Sequence, residues 1–243
     1  MIFLCFANKD RYTIAESILY HLENFGIDVW YDRHSLIIGD NRPIVNFDEG
    51  IRKNRYSILL ITPNIEHNIC ANEELVIVKE QLDKNEMKVF PILYNITAEQ
   101  LPPKYYWIKE YIYREVTDKT GTLLTVSSIV CRYLKDQVDL LKYPGLHELL
   151  CSNAIADQYL KSLIYDYQEI DNHNFNSKMT LLHCINKYLI TFFPKIYPRF
   201  CIKPFGFYFS FTKLNLEINF KEITILEYCI LIMIHKSLFN TNF

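Results

Sequence analysis

The stretch Tyr56 to Leu82, YSILLITPNIEHNICANEELVIVKEQL, changes its period part-way along, and that change decides the fold class. It opens with an apolar run, Ile58 to Ile61, that stops at Thr62-Pro63-Asn64, the pattern of a fully buried strand ending in a turn. Beyond the turn Ala71, Leu75, Val78 and Leu82 recur at three- and four-residue spacing, which predicts a helix from about Cys70 onward with one buried stripe. At about 100° per residue, Glu74 falls roughly 70° from the centre of that stripe and Glu73 falls on the solvent side. Only Glu74 can face a cleft, beside the C-terminal end of a buried strand, where open α/β sheets bind ligands. Both glutamates also suit the positive end of a helix, so spacing alone leaves a purely electrostatic role open.

Upstream, Ile2 to Phe6 is a second apolar run and predicts a first strand ending at Ala7-Asn8-Lys9-Asp10-Arg11, with Asp10 a candidate helix N-cap. Tyr12 to Phe25 reads as a helix burying Ile14, Ala15, Ile18, Leu19 and Leu22, and Gly26 suits the residue just past its end. A strand from Ile27 to Tyr31 then leads through Asp32, Leu36 and Ile38-Gly39-Asp40 to a helix with Pro43 in its first turn. Asp40 or Asn41 would cap that helix, and Ile44, Phe47 and Ile51 would be its buried face. Downstream come a strand from Val89 to Leu93, an irregular segment from Leu101 through Trp107, a short strand around Tyr111 to Tyr113, and a helix from about Thr122 to Lys135. Five strands alternating with helices predict an α/β parallel sheet covered on both faces.

Three of these segments, in this order, resemble the motifs of TIR (Toll/interleukin-1 receptor) domains. MIFLCFANKDR is similar to the opening motif, Trp30-Tyr31-Asp32 with Leu36 and Ile38-Gly39-Asp40 to the BB loop, and Thr62-Pro63-Asn64 through Glu74-Leu75 to the segment that carries the family's glutamate. Counted without gaps from Thr62, that glutamate falls on Glu74 and the family's tryptophan on Cys70. The resemblance covers residues 1–137. It implies a flavodoxin-like five-stranded parallel sheet, with Glu74 as the catalytic residue of NAD cleavage. By position, Phe6, Ala7, Asn8, Asp32, Gly39 and Cys70 would line the nucleotide cleft.

Composition narrows the function classes. The net charge of −2 and the absence of a basic stripe argue against a nucleic-acid partner, which would be held mainly by phosphate neutralisation. Seven cysteines without paired spacing, and no signal peptide ahead of them, suggest reduced thiols in the cytoplasm and no zinc site. The run Ile223 to Ile234 is too short to span a bilayer and reads as a buried helix, so no membrane partner is expected.

Residues 140–243 match no known pattern. Leu146 to Tyr165 and Met179 to Phe193 read as amphipathic helices with a polar loop from Asp171 to Ser177 between them. Phe207, Phe209 and Phe211 alternate, as do Leu214, Leu216, Ile218 and Phe220, which predicts two strands or one bulged strand. The expectation is a mostly helical α+β domain, joined by a short connection and docked on the first domain or pairing copies of the chain.

The resemblance implies an NAD+ glycohydrolase giving nicotinamide with ADP-ribose or a cyclic isomer, with no cofactor beyond NAD as substrate. It also implies self-association and, by analogy with bacterial proteins that add a domain to TIR, antiphage defence. Two rivals stand beside it: a non-catalytic module acting by TIR–TIR association through the BB loop, and a nucleoside deoxyribosyltransferase-like enzyme. The Trp30 to Gly39 pattern fits the latter poorly.

Overall fold

The computed structural model describes residues 1–214 and 217–239. They form two compact units, one of residues 1–23 with 27–126 and the other of residues 24–26 with 127–243.

In the first unit five parallel strands lie in the order β2-β1-β3-β4-β5: β1 Ile2–Cys5, β2 Val29–Trp30, β3 Tyr56–Ile61, β4 Lys88–Tyr94 and β5 Arg114–Val116. Every residue of β1 and β3 is buried, which explains their uninterrupted apolar runs. The strand order reverses between β1 and β3, so a crevice opens where those two strands end. Phe3, Cys5, Leu59 and Ile61 point to one face, where Trp30, Ile51, Ala71, Leu75 and Val78 complete an apolar core. The helices between strands are α1 (Glu16–Asn24), the single turn α2 (Asp32–Ser35), a π-type helix Pro43–Arg52, and α3 (Ile69–Asp83).

Several local expectations are corrected. The fifth strand lies at Arg114–Val116 rather than around Tyr111 to Tyr113, because the 3₁₀ segment Pro103–Glu110 buries Tyr105 and Ile108 first. Helix Pro43–Arg52 buries Asn46, Gly50 and Ile51, whereas Ile44 is exposed and Phe47 half-buried. Ile51 is buried as expected, but the wide π-type turn carries every fourth to fifth residue to the same face, so Asn46 and Gly50 join it in place of Ile44. Asp40 does not cap this helix: its carboxylate accepts from Ile37 N at 2.8 Å, within the loop. Asn41 Oδ1 takes Ile44 N at 3.4 Å.

The second unit is helical throughout its described residues: the end of α4 (Leu123–Val138), then α5 Leu146–Cys151, α6 Gln158–Glu169, α7 Phe175–Phe192, α8 Arg199–Lys213 and α9 Phe220–Phe239. The helix expected from Leu146 to Tyr165 is two, broken where Asn153 adopts φ 54°. The strand expected at 207–211 lies inside α8. Of the second alternating run, Leu214 is in a turn, Ile218 precedes α9 and Leu216 falls outside the described residues. Cys201, Phe205 and Tyr208 are buried at helical spacing, and that packing overrides the strand preference of the aromatic run. Pro204 within α8 removes the N–H that would bond Phe200 O, and the freed carbonyl accepts from the Cys229 thiol at 3.4 Å. Asn219 opens α9 as half of a reciprocal cap, its N–H on Glu222 Oε2 at 3.1 Å and its Oδ1 taking Lys221 N at 3.0 Å. The run from Ile223 to Ile234 is buried almost all round, and among the described residues no helix is long and apolar enough to cross a membrane.

Candidate active site

Glu74 is placed by three pieces of local structure. β3 ends at Thr62-Pro63-Asn64; Asn68 Oδ1 then accepts Ala71 N at 2.8 Å and starts α3 one residue earlier than the spacing suggested. Ala71, Leu75 and Val78 are buried as expected, and Leu82 is half-buried. That rotation sets Glu74 at the edge of the core and Glu73 in solvent. Glu73 pairs with Arg42 Nη1 at 2.6 Å, and Arg42 also donates to the Cys70 carbonyl at 3.4 Å. Glu74 Oε1 instead accepts from Asn46 Nδ2 at 2.7 Å, on the facing π-type helix.

Burial drives the chemistry at this point. Loss of water pushes the Glu74 carboxyl from its ordinary 4.5 to about 7, and nearby Asp32 adds to the rise. The bonds from Asn46 and Cys5 and the charge of Arg42 oppose it and are outweighed. The Cys5 thiol, fully buried at the end of β1, is pushed well up by burial first and by Glu74 second, so it stays a neutral donor. Asn46 Oδ1 is buried without a hydrogen-bond partner. An amide with one end on a carboxylate and the other unmatched can accept a hydroxyl from a ligand.

Gly50 fixes the distance between the two helices and the sheet. A Cβ there would sit 2.8 Å from Trp30 Cε2, and Trp30 is stacked on Phe3 at 5.2 Å, so the indole cannot retreat. Gly50→Ala should therefore push the helix carrying Asn46 outward, costing about 1–3 kcal/mol of stability and displacing the Asn46–Glu74 bond. Thermal melts and the pH dependence of activity would register both.

The residues expected to line a nucleotide cleft divide into two groups. Phe6, Asn8 and Asp32 meet around Arg11, which lies 5.3 Å from the centre of the Phe6 ring. Arg11 gives Asp32 two bonds, at 2.9 and 2.7 Å, donates to Tyr31 Oη at 3.0 Å, and reaches Asn8 Oδ1 at 3.1 and 3.0 Å. Ala7 is buried beneath them. Cys70 belongs with Arg42 near Glu74. Gly39 stands in the exposed loop with φ +102° and nothing within 4 Å of where a Cβ would be.

The sequence alone gives Arg11 and Asn46 no role; Arg11 closes the expected turn, but its partner Asp32 is 21 residues away. Asp10 was misassigned. It caps no helix and is buried, with its carboxylate on Thr62 Oγ1 at 2.5 Å and Asn64 Nδ2 at 2.6 Å. It thereby ties the turn after β1 to the turn after β3, across the crevice. Beyond that tie a cavity of about 390 Å³, lined by Asn64, Tyr94, Asn95 and Asp118, opens at the ends of β3, β4 and β5.

The sequence profile of the TIR domain matches residues 2–123. The chain belongs to the TIR domain family. Its TIR portion is 30% identical over 101 residues to the NAD(+) hydrolase TcpC of Escherichia coli O6:H1, covering 41% of this chain and 32% of that protein. It is 30% identical over 104 residues to the NAD(+) hydrolase TcpA of a Theionarchaea archaeon, covering 41% and 30%. With the 2' cyclic ADP-D-ribose synthase AbTIR of Acinetobacter baumannii it shares 26% over 101 residues, covering 41% and 37%. The matches span about a third of these relatives' own length.

Proposed function

We propose that this TIR protein cleaves NAD+ at the nicotinamide–ribose bond, with Glu74 as the catalytic residue. The observation that carries the reading is the Glu74 carboxylate itself, held at the core edge beside the ends of β1 and β3 and bonded to an amide whose other end is unmatched. Relatives named as NAD(+) hydrolases and a cyclic ADP-ribose synthase support the substrate.

The bond electrons leave with nicotinamide, which departs neutral, and positive charge develops on the ribose C1′ and ring oxygen. An ionised Glu74 offsets that charge and orients a ribose hydroxyl, the part a carboxylate plays in glycosidases. Asn46 Oδ1 is placed to accept a hydroxyl on the same ring. Water then attacks C1′ and loses its proton, giving ADP-ribose; capture by an internal nucleophile gives a cyclic isomer. Incubating the pure protein with NAD+ and resolving nicotinamide, ADP-ribose and cyclic product by chromatography tests the reading, and absence of nicotinamide release would sink it.

Self-association is a second activity that one observation favours. Ile37, Ile38, Ile44 and Ile69 are all exposed, Ile38 completely, on and beside the loop that holds Gly39. Isolated surface isoleucines are ordinary, but a group of this kind beside an exposed loop suits a contact with a second copy. Ile38→Asp should shift the chain toward monomer in light scattering. Gly39→Pro, which forces φ near −65° where +102° is required, should do the same while circular dichroism stays unchanged. An unaltered oligomeric state in both variants would exclude this surface.

A further inference from the structure

The second unit holds a cavity of about 600 Å³ lined from α5, α6, α7 and α9, a size that takes a small ligand. Lys178, on α7, lies deep in its wall and is only 8% exposed. Its ammonium rests 4.7 Å from the centre of the Tyr167 ring on α6. A ring face offsets part of the charge but accepts no ordinary hydrogen bond, and among the described residues the ammonium has neither a hydrogen bond nor an ion pair. Lysine is almost never buried to this degree unless it is paired.

Glu227, half-buried on α9, lines the same cavity and is likewise unmatched. Burial raises the pKa of its carboxyl, and the charge of Lys178 opposes that rise without overcoming it, so the two side chains sense each other but form no ion pair. Glu169, at the exposed end of α6, adds a second carboxylate, and His147 on α5 is turned to the Cys151 thiol at 3.6 Å. One buried cation beside two carboxylates decides the charge of an occupant. A plain anion would satisfy Lys178 and be repelled by both glutamates; a plain cation would meet the reverse. A molecule with both charges on neighbouring atoms satisfies all three. Leu150 and Tyr165, the latter 57% exposed, leave an apolar wall for the rest of it.

We propose that this cavity binds a free α-amino acid with an apolar side chain, its carboxylate on Lys178, its ammonium on Glu227, and its side chain against Leu150 and Tyr165. Both contacts are charge-assisted hydrogen bonds made away from bulk water, and the apolar wall adds the hydrophobic part of the driving force. Nothing in this site uses Glu74, so it stands or falls independently of NAD cleavage.

The probe is L-phenylalanine, titrated into the full chain in a calorimeter, with saturable one-to-one binding expected in the micromolar range. Phenethylamine lacks only the carboxylate and 3-phenylpropanoate only the ammonium, and each should bind about tenfold or more weakly. Lys178→Met keeps the apolar stem beside Tyr167 and removes the charge, and Glu227→Gln keeps the shape and removes the charge. In the first variant L-phenylalanine should bind no better than phenethylamine, and in the second no better than 3-phenylpropanoate, because the lost partner is the one each analogue cannot use. A measurement on the parent chain needs no variant to fold. Cys151 is exposed and lines the cavity, so saturating L-phenylalanine should slow its alkylation by iodoacetamide, followed by peptide mass spectrometry, while exposed Cys70 in the first unit reacts as before. Absence of saturable binding at millimolar L-phenylalanine would overturn the proposal. So would single-charge analogues that bind as tightly as the amino acid, or saturation that leaves the alkylation of Cys151 unchanged.

Discussion

Glu74→Gln is expected to lower NAD+ cleavage by about 10²–10³-fold, while Glu73→Gln stays within about fivefold of the parent. The two residues are adjacent in the chain and equally close to the start of α3, so a helix-end effect would treat them alike. They differ in surroundings. Glu73 sits in solvent with Arg42 at 2.6 Å, an exposed pair worth little. Glu74 faces Asn46 with little water around it. Glutamine keeps the shape and can still accept from Asn46, so what it removes is the charge. Since the ionised form is the useful one, parent activity should rise with pH and reach half its plateau near the Glu74 pKa of about 7. Asn46→Ala removes a bond that holds that pKa down, and the half-activity point should move to higher pH. Equal losses in the two glutamine variants would refute the assignment.

What could be read from the chain, and what could not, follows from the range of the interactions involved. β1 and β3 were legible because strands buried on both faces must be apolar at every position, and Thr62-Pro63-Asn64 marks an end. The choice of Glu74 over Glu73 needed only helical rotation. By contrast, the partners of Glu74 come from sites 28 and 69 positions away, at Asn46 and Cys5, and no local pattern announces them. Asn46 was hidden further by the π-type turn, which places Asn46 and Gly50 on the face of Ile51, where α-helical spacing points to Ile44 and Phe47 beside it. Asp10 looked like a cap because a cap is the commonest local use of aspartate, whereas its true partners, Thr62 and Asn64, are 52 and 54 residues on. Around residues 199–220 the failure has another source. A run of alternating aromatics fits a pleated strand, but strand preference is weak, and burial of Cys201, Phe205 and Tyr208 outweighs it.

The same glutamine substitution is expected to stabilise the protein above pH 7. A carboxyl whose pKa is raised by folding favours the folded state only while it is protonated. Its contribution is complete below its unfolded value of 4.5 and is lost as pH rises through about 7. Above that, the parent keeps an ionised carboxylate that burial penalises, and glutamine has no such penalty. A displacement from 4.5 to about 7 corresponds to about 3 kcal/mol at most, at about 1.4 kcal/mol per pH unit, since the side chain keeps partial exposure at the core edge. For a chain of this size that is a rise in melting temperature of roughly 5–10 °C. The gain should be near zero at pH 4.5, grow between pH 4.5 and 7, and level off at higher pH. Glu73→Gln, in solvent, should show no such trend. A residue that activity requires and stability would do without is the pattern of a site kept strained for its chemistry. If Glu74→Gln instead melts lower than the parent at pH 8, the carboxylate is a structural anchor of α3, and the catalytic assignment loses its physical basis.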